Sequence, residues 1–170
     1  NKYLQHENII FICQHISGIK LNWGHGKVFS SHASKNDNFI PIPHYSINYN
    51  KDIVEFKKRK IECSFVGSFN THWIRSLINQ AYKDNKSFLI KDTGEWHFLN
   101  QENFIEREVF YINTLKNSKY VLCPRGTGPG SIRFWEALAS KCIPILISNE
   151  LKIPKKLEEN IIIINQYQDI

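Results

Sequence analysis

Residues 118–149 read SKYVLCPRGTGPGSIRFWEALASKCIPILISN, and this stretch decides the fold class of the whole chain. An apolar run meets a glycine-rich basic loop, then a short amphipathic segment, then a second apolar run. That order predicts strand, loop, helix and strand. Tyr120 to Cys123 reads as a buried strand that Pro124 stops. The loop Arg125-Gly126-Thr127-Gly128-Pro129-Gly130 lets backbone approach a ligand closely, because glycine carries no Cβ and tolerates positive φ. Ser131 is a natural N-cap, so the free N–H groups of the next turn and the positive end of its dipole point back at the loop. Arg125 and Arg133 add formal charge at the same end. The arrangement suits an anion, a diphosphate above all. The alternative is a plain turn flanked by solvated arginines.

The glycine spacing is neither the Walker pattern, which requires Gly-Lys-Ser/Thr, nor the dinucleotide fingerprint. A nucleoside triphosphatase or a dehydrogenase is therefore disfavoured. Glu136 falls in the same short helix, near its ligand-facing start. A carboxylate there is placed to accept hydrogen bonds from ribose hydroxyls, as the acidic residue does in other nucleotide-binding α/β folds. Pairing with Arg133, one turn earlier, is its other use.

Cys123-Pro124-Arg125-Gly126, Gly130-Ser131, Arg133-Phe134-Trp135-Glu136-Ala137-Leu138 and Cys142-Ile143-Pro144-Ile145, in that order, closely resemble the exostosin family of glycosyltransferases. The resemblance implies a GT-B fold of two Rossmann-like domains, the C-terminal one binding a UDP-sugar, with inversion at the anomeric carbon and a place in polysaccharide biosynthesis. By position, Arg125, Gly126, Gly130, Ser131, Arg133 and Glu136 match the donor-binding motif. Upstream, Ser64-Phe65-Val66-Gly67 followed by Ile74-Arg75-Ser76-Leu77 is similar to the first strand and helix of the donor domain. Phe39-Ile40-Pro41-Ile42-Pro43 is similar to the extended segment before the domain junction, with Asp37 loosely in place of the family's aspartate. Phe11-Ile12-Cys13-Gln14-His15 matches a late strand of the acceptor domain, but departs from the family's His-Asp by reading Gln14-His15.

Two complete Rossmann-like domains need about twice the 170 residues present, which make one good core. The expected division is residues 1–56 as the end of an N-terminal acceptor-side domain with its linker, and residues 57–170 as an incomplete C-terminal nucleotide-sugar-binding domain. The chain reads as an internal fragment of a longer protein, so membrane association of the whole is not visible in it. No stretch reaches membrane-spanning length.

A net charge of +6 and a pI near 9.1 fit an anionic-substrate enzyme, a nucleic-acid binder or a soluble basic domain. Basic residues are not gathered on an aromatic stripe, and no nucleic-acid partner is expected. Lys57-Lys58-Arg59-Lys60 is the one dense run and reads as solvated linker. Cys13, Cys63, Cys123 and Cys142 show neither zinc spacing nor a disulfide framework, and Cys123 and Cys142 read as small buried hydrophobes. No metal site is expected.

After the basic run the pattern is regular. Ile61 to Val66 predicts a strand. Thr71 is placed to cap a helix with the stripe Ile74, Leu77, Ile78 and Ala81. Ser87 to Ile90 predicts a strand closed by Asp92-Thr93-Gly94, and Glu102 to Lys116 a helix with Ile105, Val109 and Ile112 at helical spacing. Ile161 to Ile164 supplies a last strand. The alternation predicts an α/β fold: a Rossmann-like parallel sheet with helices on both faces, and ligands outside the carboxyl ends of its strands. Before residue 57, Asn8 to Cys13 and Lys27 to Ser30 read as strands and Asn36 to Pro43 as extended connection.

Histidines crowd this first part at positions 6, 15, 25, 32 and 44. An inverting transfer requires a base for the acceptor hydroxyl, and His15, His25 and His32 are the candidates, although an unplaced histidine is commonly structural. His72, Trp73, Trp96 and His97 raise a similar question of sugar stacking against core packing. The reading is an inverting, exostosin-type glycosyltransferase moving sugar from a UDP-sugar to a glycan or other hydroxyl acceptor, with no cofactor. It is also expected to be metal-independent, because the chain has no Asp-x-Asp motif while arginines and a helix end neutralise the leaving group. A non-catalytic sugar-nucleotide or polysaccharide-binding module on the same fold is the alternative.

Overall fold

The computed structural model describes residues 8–46, 48–49, 52–94 and 104–165. His6, the Trp96-His97 pair and the expected helix start at Glu102 lie outside the described residues. Eight strands and three α-helices are present among those described. Strands β1 (Ile10–Cys13), β2 (Lys27–Ser30) and β3 (Ile40–Pro41) form one parallel sheet in that order. Strands β4 (Ile61–Gly67), β5 (Phe88–Asp92), β6 (Ser118–Pro124), β7 (Ile143–Ile147) and β8 (Ile162–Ile164) form a second. The second is parallel throughout, in the order β5-β4-β6-β7-β8. Helices α1 (Trp73–Tyr82), α2 (Phe104–Asn117) and α3 (Ile132–Ala139) are its crossovers.

Alternation along the strands fills both faces of this sheet. Cys63 and Phe65 of β4, with Leu122 and Ile147, pack against Ile74 and Ile78 of α1. Val121, Cys123 and Leu146 pack on the other face against Leu115 of α2 and Phe134 and Ala137 of α3. The expected α/β fold with helices on both faces is what forms. Cys123 and Cys142 are buried as expected, and burial pushes the Cys63 thiol up to about 12. No helix among the described residues is long and apolar enough to cross a membrane.

Several local expectations change. His72, not Thr71, caps α1: its Nδ1 accepts from the Ile74 N–H at 3.3 Å. The buried face of α1 is Ile74, Arg75 and Ile78, while Leu77 and Ala81 are exposed. An arginine takes the place of a leucine because carbonyl oxygens at the strand ends lie within its reach. On α2 the buried positions are Thr114 and Leu115, while Ile105 and Val109 of the expected stripe stand in solvent. Arg59 is not solvated linker. It is 4% exposed, and donates to the carbonyls of Val54, Ser118 and Ser140 and to Cys142 Sγ. This one side chain ties the linker to the amino end of the second sheet.

A seam joins the two sheets. Ser34 pairs with Leu151 in an antiparallel bridge, the Lys35 N–H donates to the Glu150 carbonyl and the Lys152 N–H to that of Ala33, each at 2.8 Å. Lys152 Nζ also donates to the carbonyls of Asp37 and Phe39. The loops at the carboxyl ends of both sheets are thereby brought against each other.

Candidate donor site at the seam of two parallel sheets

With β4 counted as the first strand of its sheet, the order is 2-1-3-4-5, so the topological switch point lies between β4 and β6. Ligands of open α/β sheets bind in the crevice there, because the connections leave in opposite directions and open the carboxyl edge. One side chain spans this crevice. Arg75, 7% exposed, donates from Nε to the Arg125 carbonyl, from Nη1 to the Ser68 carbonyl and from Nη2 to the Pro124 carbonyl. The loops after β4 and β6 are thus hung on one guanidinium. Sequence reasoning placed Arg75 in a helix but gave it no part in the site. Its interruption of an apolar face was the available signal.

The glycines lie where side chains would collide. A Cβ on Gly126 would sit 2.9 Å from Arg75 Nη2 and 3.5 Å from Thr71 Oγ1. On Gly128 it would collide with Ile16 Cδ1 and lie 3.3 Å from His32 Nδ1, which come from the segments that follow β1 and β2 of the other sheet. On Gly130 it would meet Leu151 Cδ1 at 3.1 Å. Ser131 occupies the N-cap position in extended conformation without a side-chain bond, so no hydroxyl cap satisfies the first-turn N–H groups of α3.

Three arginines, Arg75, Arg125 and Arg133, gather here, and among the described residues only Arg125 has a carboxylate in direct contact. Arg125 is held by Glu150, Nη1 to Oε1 at 2.8 Å, while its buried Nε has no partner among the described residues. Arg133 donates to the Val66 carbonyl and lies 4.3 Å over the Phe65 ring. Its Nε and Nη1 have no partner among the described residues. Burial first, then neighbouring Arg133, depresses the Arg75 pKa. Buried charges of one sign cost free energy that an anion recovers.

Glu136 is 1% exposed. Its Oε2 accepts from the Tyr111 hydroxyl, and among the described residues Arg133 bonds to the Val66 carbonyl rather than to Glu136. Burial raises its pKa, opposed by the Tyr111 bond, Arg133 and Asn48. The structure therefore places this carboxylate of α3 against Tyr111 of α2 and near Asn48. Its Oε1 is buried, with Asn48 as a polar neighbour and no hydrogen bond of full geometry among the described residues.

The histidines separate by topology. His15, His32 and His44 follow the carboxyl ends of β1, β2 and β3, whereas His25 precedes β2 at the opposite end and is not brought to the loop. His15 caps the turn Ile16–Lys20 through Nδ1. His32 stands edge-on to His44, ring centroids 5.8 Å apart. Burial, then His44, lowers the His32 pKa to about 4, against a bond to the Gln14 backbone that raises it. Its Nδ1 is buried and without a partner among the described residues. Beside His44 opens a cavity of about 450 Å³ lined by Gln14, Tyr45, Ser46, Tyr49 and Trp135 among others. No group of three or more metal-ligating side chains occurs among the described residues.

Fold and site together define a Rossmann-like α/β protein whose glycine loop and arginines face a second parallel sheet. A family model of the Exostosin GT47 domain matches residues 10–162, and the chain belongs to this exostosin family of glycosyltransferases. An Exostosin-1 homolog of Caenorhabditis elegans is 28% identical over 163 residues, covering 79% of this chain and 42% of that protein. A probable glucuronosyltransferase of Oryza sativa subsp. japonica is 27% identical over 107 residues, 61% of this chain and 22% of that protein. Exostosin-1 of Drosophila melanogaster is 50% identical over 44 residues, 26% of this chain and 6% of that protein. The chain thus spans less than half the length of each of these relatives.

Proposed function

We propose that this chain carries the donor-binding half of an inverting glycosyltransferase that uses a UDP-sugar and passes the sugar to a hydroxyl of a glycan or similar acceptor. The observation that carries the reading is the Gly126 to Gly130 loop. It sits at the switch point, walled by Arg75 and Arg125 on one side and by His32 of the other sheet on the other. In this reading the diphosphate lies on the loop, against Arg125 and the first turn of α3. Negative charge that develops on the leaving group is met by donors already in place, and no metal is called for. Arg133 and Arg75 hold the crevice walls. Glu136 supports the floor, and becomes a ribose ligand where Oε1 opens to the nucleotide.

The acceptor hydroxyl loses its proton as its oxygen bonds the anomeric carbon and the bond to the diphosphate breaks. Of the three candidate bases, His32 is supported best by position, because its Nδ1 faces Gly128 of the loop. The lowered pKa keeps the ring neutral at pH 7 and also makes it a weak proton acceptor until the site rearranges around substrate. The cavity beside His44, with exposed tyrosine faces, suits a sugar ring of the acceptor.

Calorimetric screening of the protein against UDP, GDP, CMP and their sugars tests the reading. UDP and a UDP-sugar are expected to bind, and Arg125→Ala to weaken UDP by about a hundredfold, the scale of a desolvated charge-assisted contact. Binding of none of the nucleotides overturns the reading. Transfer by the whole protein that EDTA abolishes and manganese restores overturns the metal-independent account.

A further inference from the structure

We infer that Glu150 competes with the donor's diphosphate for Arg125, so that its carboxylate sets how tightly the nucleotide product is held. The inference rests on the donor-site reading above and goes on to assign the carboxylate beside it. Both backbones are pinned. The Arg125 N–H donates to the Ile147 carbonyl at 3.1 Å, and its carbonyl accepts from Arg75. The Glu150 carbonyl accepts from the Lys35 N–H at 2.8 Å, and the adjacent Leu151 N–H donates to Ser148 Oγ. Ser148 Oγ in turn donates to the Pro129 carbonyl of the glycine loop at 2.7 Å. Only the side-chain ends are left to move.

The two ends differ in freedom. The Arg125 side chain is 13% exposed and the Glu150 side chain 40% exposed, so the carboxylate is the partner that solvent can replace. With Nη1 on Glu150 and Nε buried, a phosphate oxygen reaching Arg125 meets a guanidinium already committed at one corner. A guanidinium presents its donors in a fixed fork, and a carboxylate and a phosphate compete for the same edge. Any diphosphate that lands beside Glu150 is also repelled by it. As the nucleotide product dissociates, the carboxylate takes back Arg125, which lowers the cost of its release. Glu150 is in this sense a positioning residue that acts through Arg125, and it touches no reacting atom.

The test is Glu150→Gln, which keeps shape and backbone and removes the charge. The probes are UDP and inorganic pyrophosphate, titrated calorimetrically into wild type, Glu150→Gln, Arg125→Ala and the double variant. The expected result is about tenfold tighter binding of both probes to Glu150→Gln, with the gain absent in the Arg125→Ala background and the urea midpoint unchanged. A part that was only structural would move the urea midpoint and leave the coupling at zero. Equal or weaker binding by Glu150→Gln, with wild type binding normally, overturns this inference alone. A wild type that binds neither probe overturns the donor-site reading and this inference with it.

Discussion

Arg75 holds the backbone of Arg125: its Nε donates to the Arg125 carbonyl at 2.9 Å, across 50 residues of sequence and across the switch point of the sheet. The other two guanidinium nitrogens donate to the carbonyls of Ser68 and Pro124. The shape of the crevice between β4 and β6 therefore depends on one side chain whose planar fork reaches three acceptors. Arg75→Lys, with a single ammonium, can satisfy only part of this set. It is expected to cost about 2–4 kcal/mol, because hydrogen bonds to charged groups carry about 1.5–3 kcal/mol each. Urea unfolding measures the loss, and a midpoint within error of wild type would remove Arg75 from this part.

Gly67→Ala tests the neighbouring wall. A Cβ there would lie 2.1 Å from Arg133 Nη2, which is buried, bonded to Val66 and stacked on Phe65. To yield, the guanidinium gives up its bond to Val66 and its place over Phe65. Overpacking of this kind costs about 1–3 kcal/mol, and the variant is expected to fall in that range by urea unfolding. The double variant Gly67→Ala with Arg133→Ala should cost less than the sum of the two singles, since one removes the atom the other strikes.

Arg59 makes the opposite case, a buried arginine far from the crevice. Arg59→Ala leaves the carbonyls of Val54, Ser118 and Ser140 without their donor. A loss of about 2–4 kcal/mol is expected on the same scale, with the folded fraction binding UDP as wild type does. Weaker UDP binding at full folding would mean that the linker reaches the site.

These arginines also mark what the sequence conveys and what it withholds. Strands, crossovers and the glycine loop were legible, because apolar runs and turn residues record local geometry. The parts of Arg59 and Arg75 were not, because their partners are backbone carbonyls that leave no mark in residue type. Arg59 sits in a basic run that looks solvated, and Arg75 falls outside the apolar stripe read from the sequence although it shares the buried face of the helix. Ile105 and Val109 had helical spacing yet point to solvent, since periodicity fixes that a helix is amphipathic and not which neighbour covers it. The histidines show the same limit. Five of them crowd residues 1–56, but only the strand order separates His25 at one end of β2 from His32 at the other.

His32 yields the prediction that ties stability to the site. Its pKa is about 4 in the folded chain against 6.5 for the unperturbed ring, with burial as the main cause. Between those values the unfolded chain binds a proton that the folded chain does not. The stability associated with the neutral ring is thus fully present above about pH 6.5 and is lost as pH falls toward 4. Glu136, whose pKa is raised, contributes the opposite slope over part of the same window. The readout is therefore the difference between wild type and His32→Gln, in which the Glu136 contribution cancels. That difference in urea midpoint should move steadily against wild type from pH 7 to pH 4.5, and a pH-independent difference would show that His32 titrates normally in the fold. In transfer assays of the whole protein at pH 7, His32→Gln should lower kcat with little change in UDP affinity. The ring faces Gly128 across the seam, while the diphosphate contacts assigned above come from Arg125 and α3. A parallel loss of kcat and UDP affinity would instead make His32 a wall of the loop, and would move the search for the base to His15 or His44.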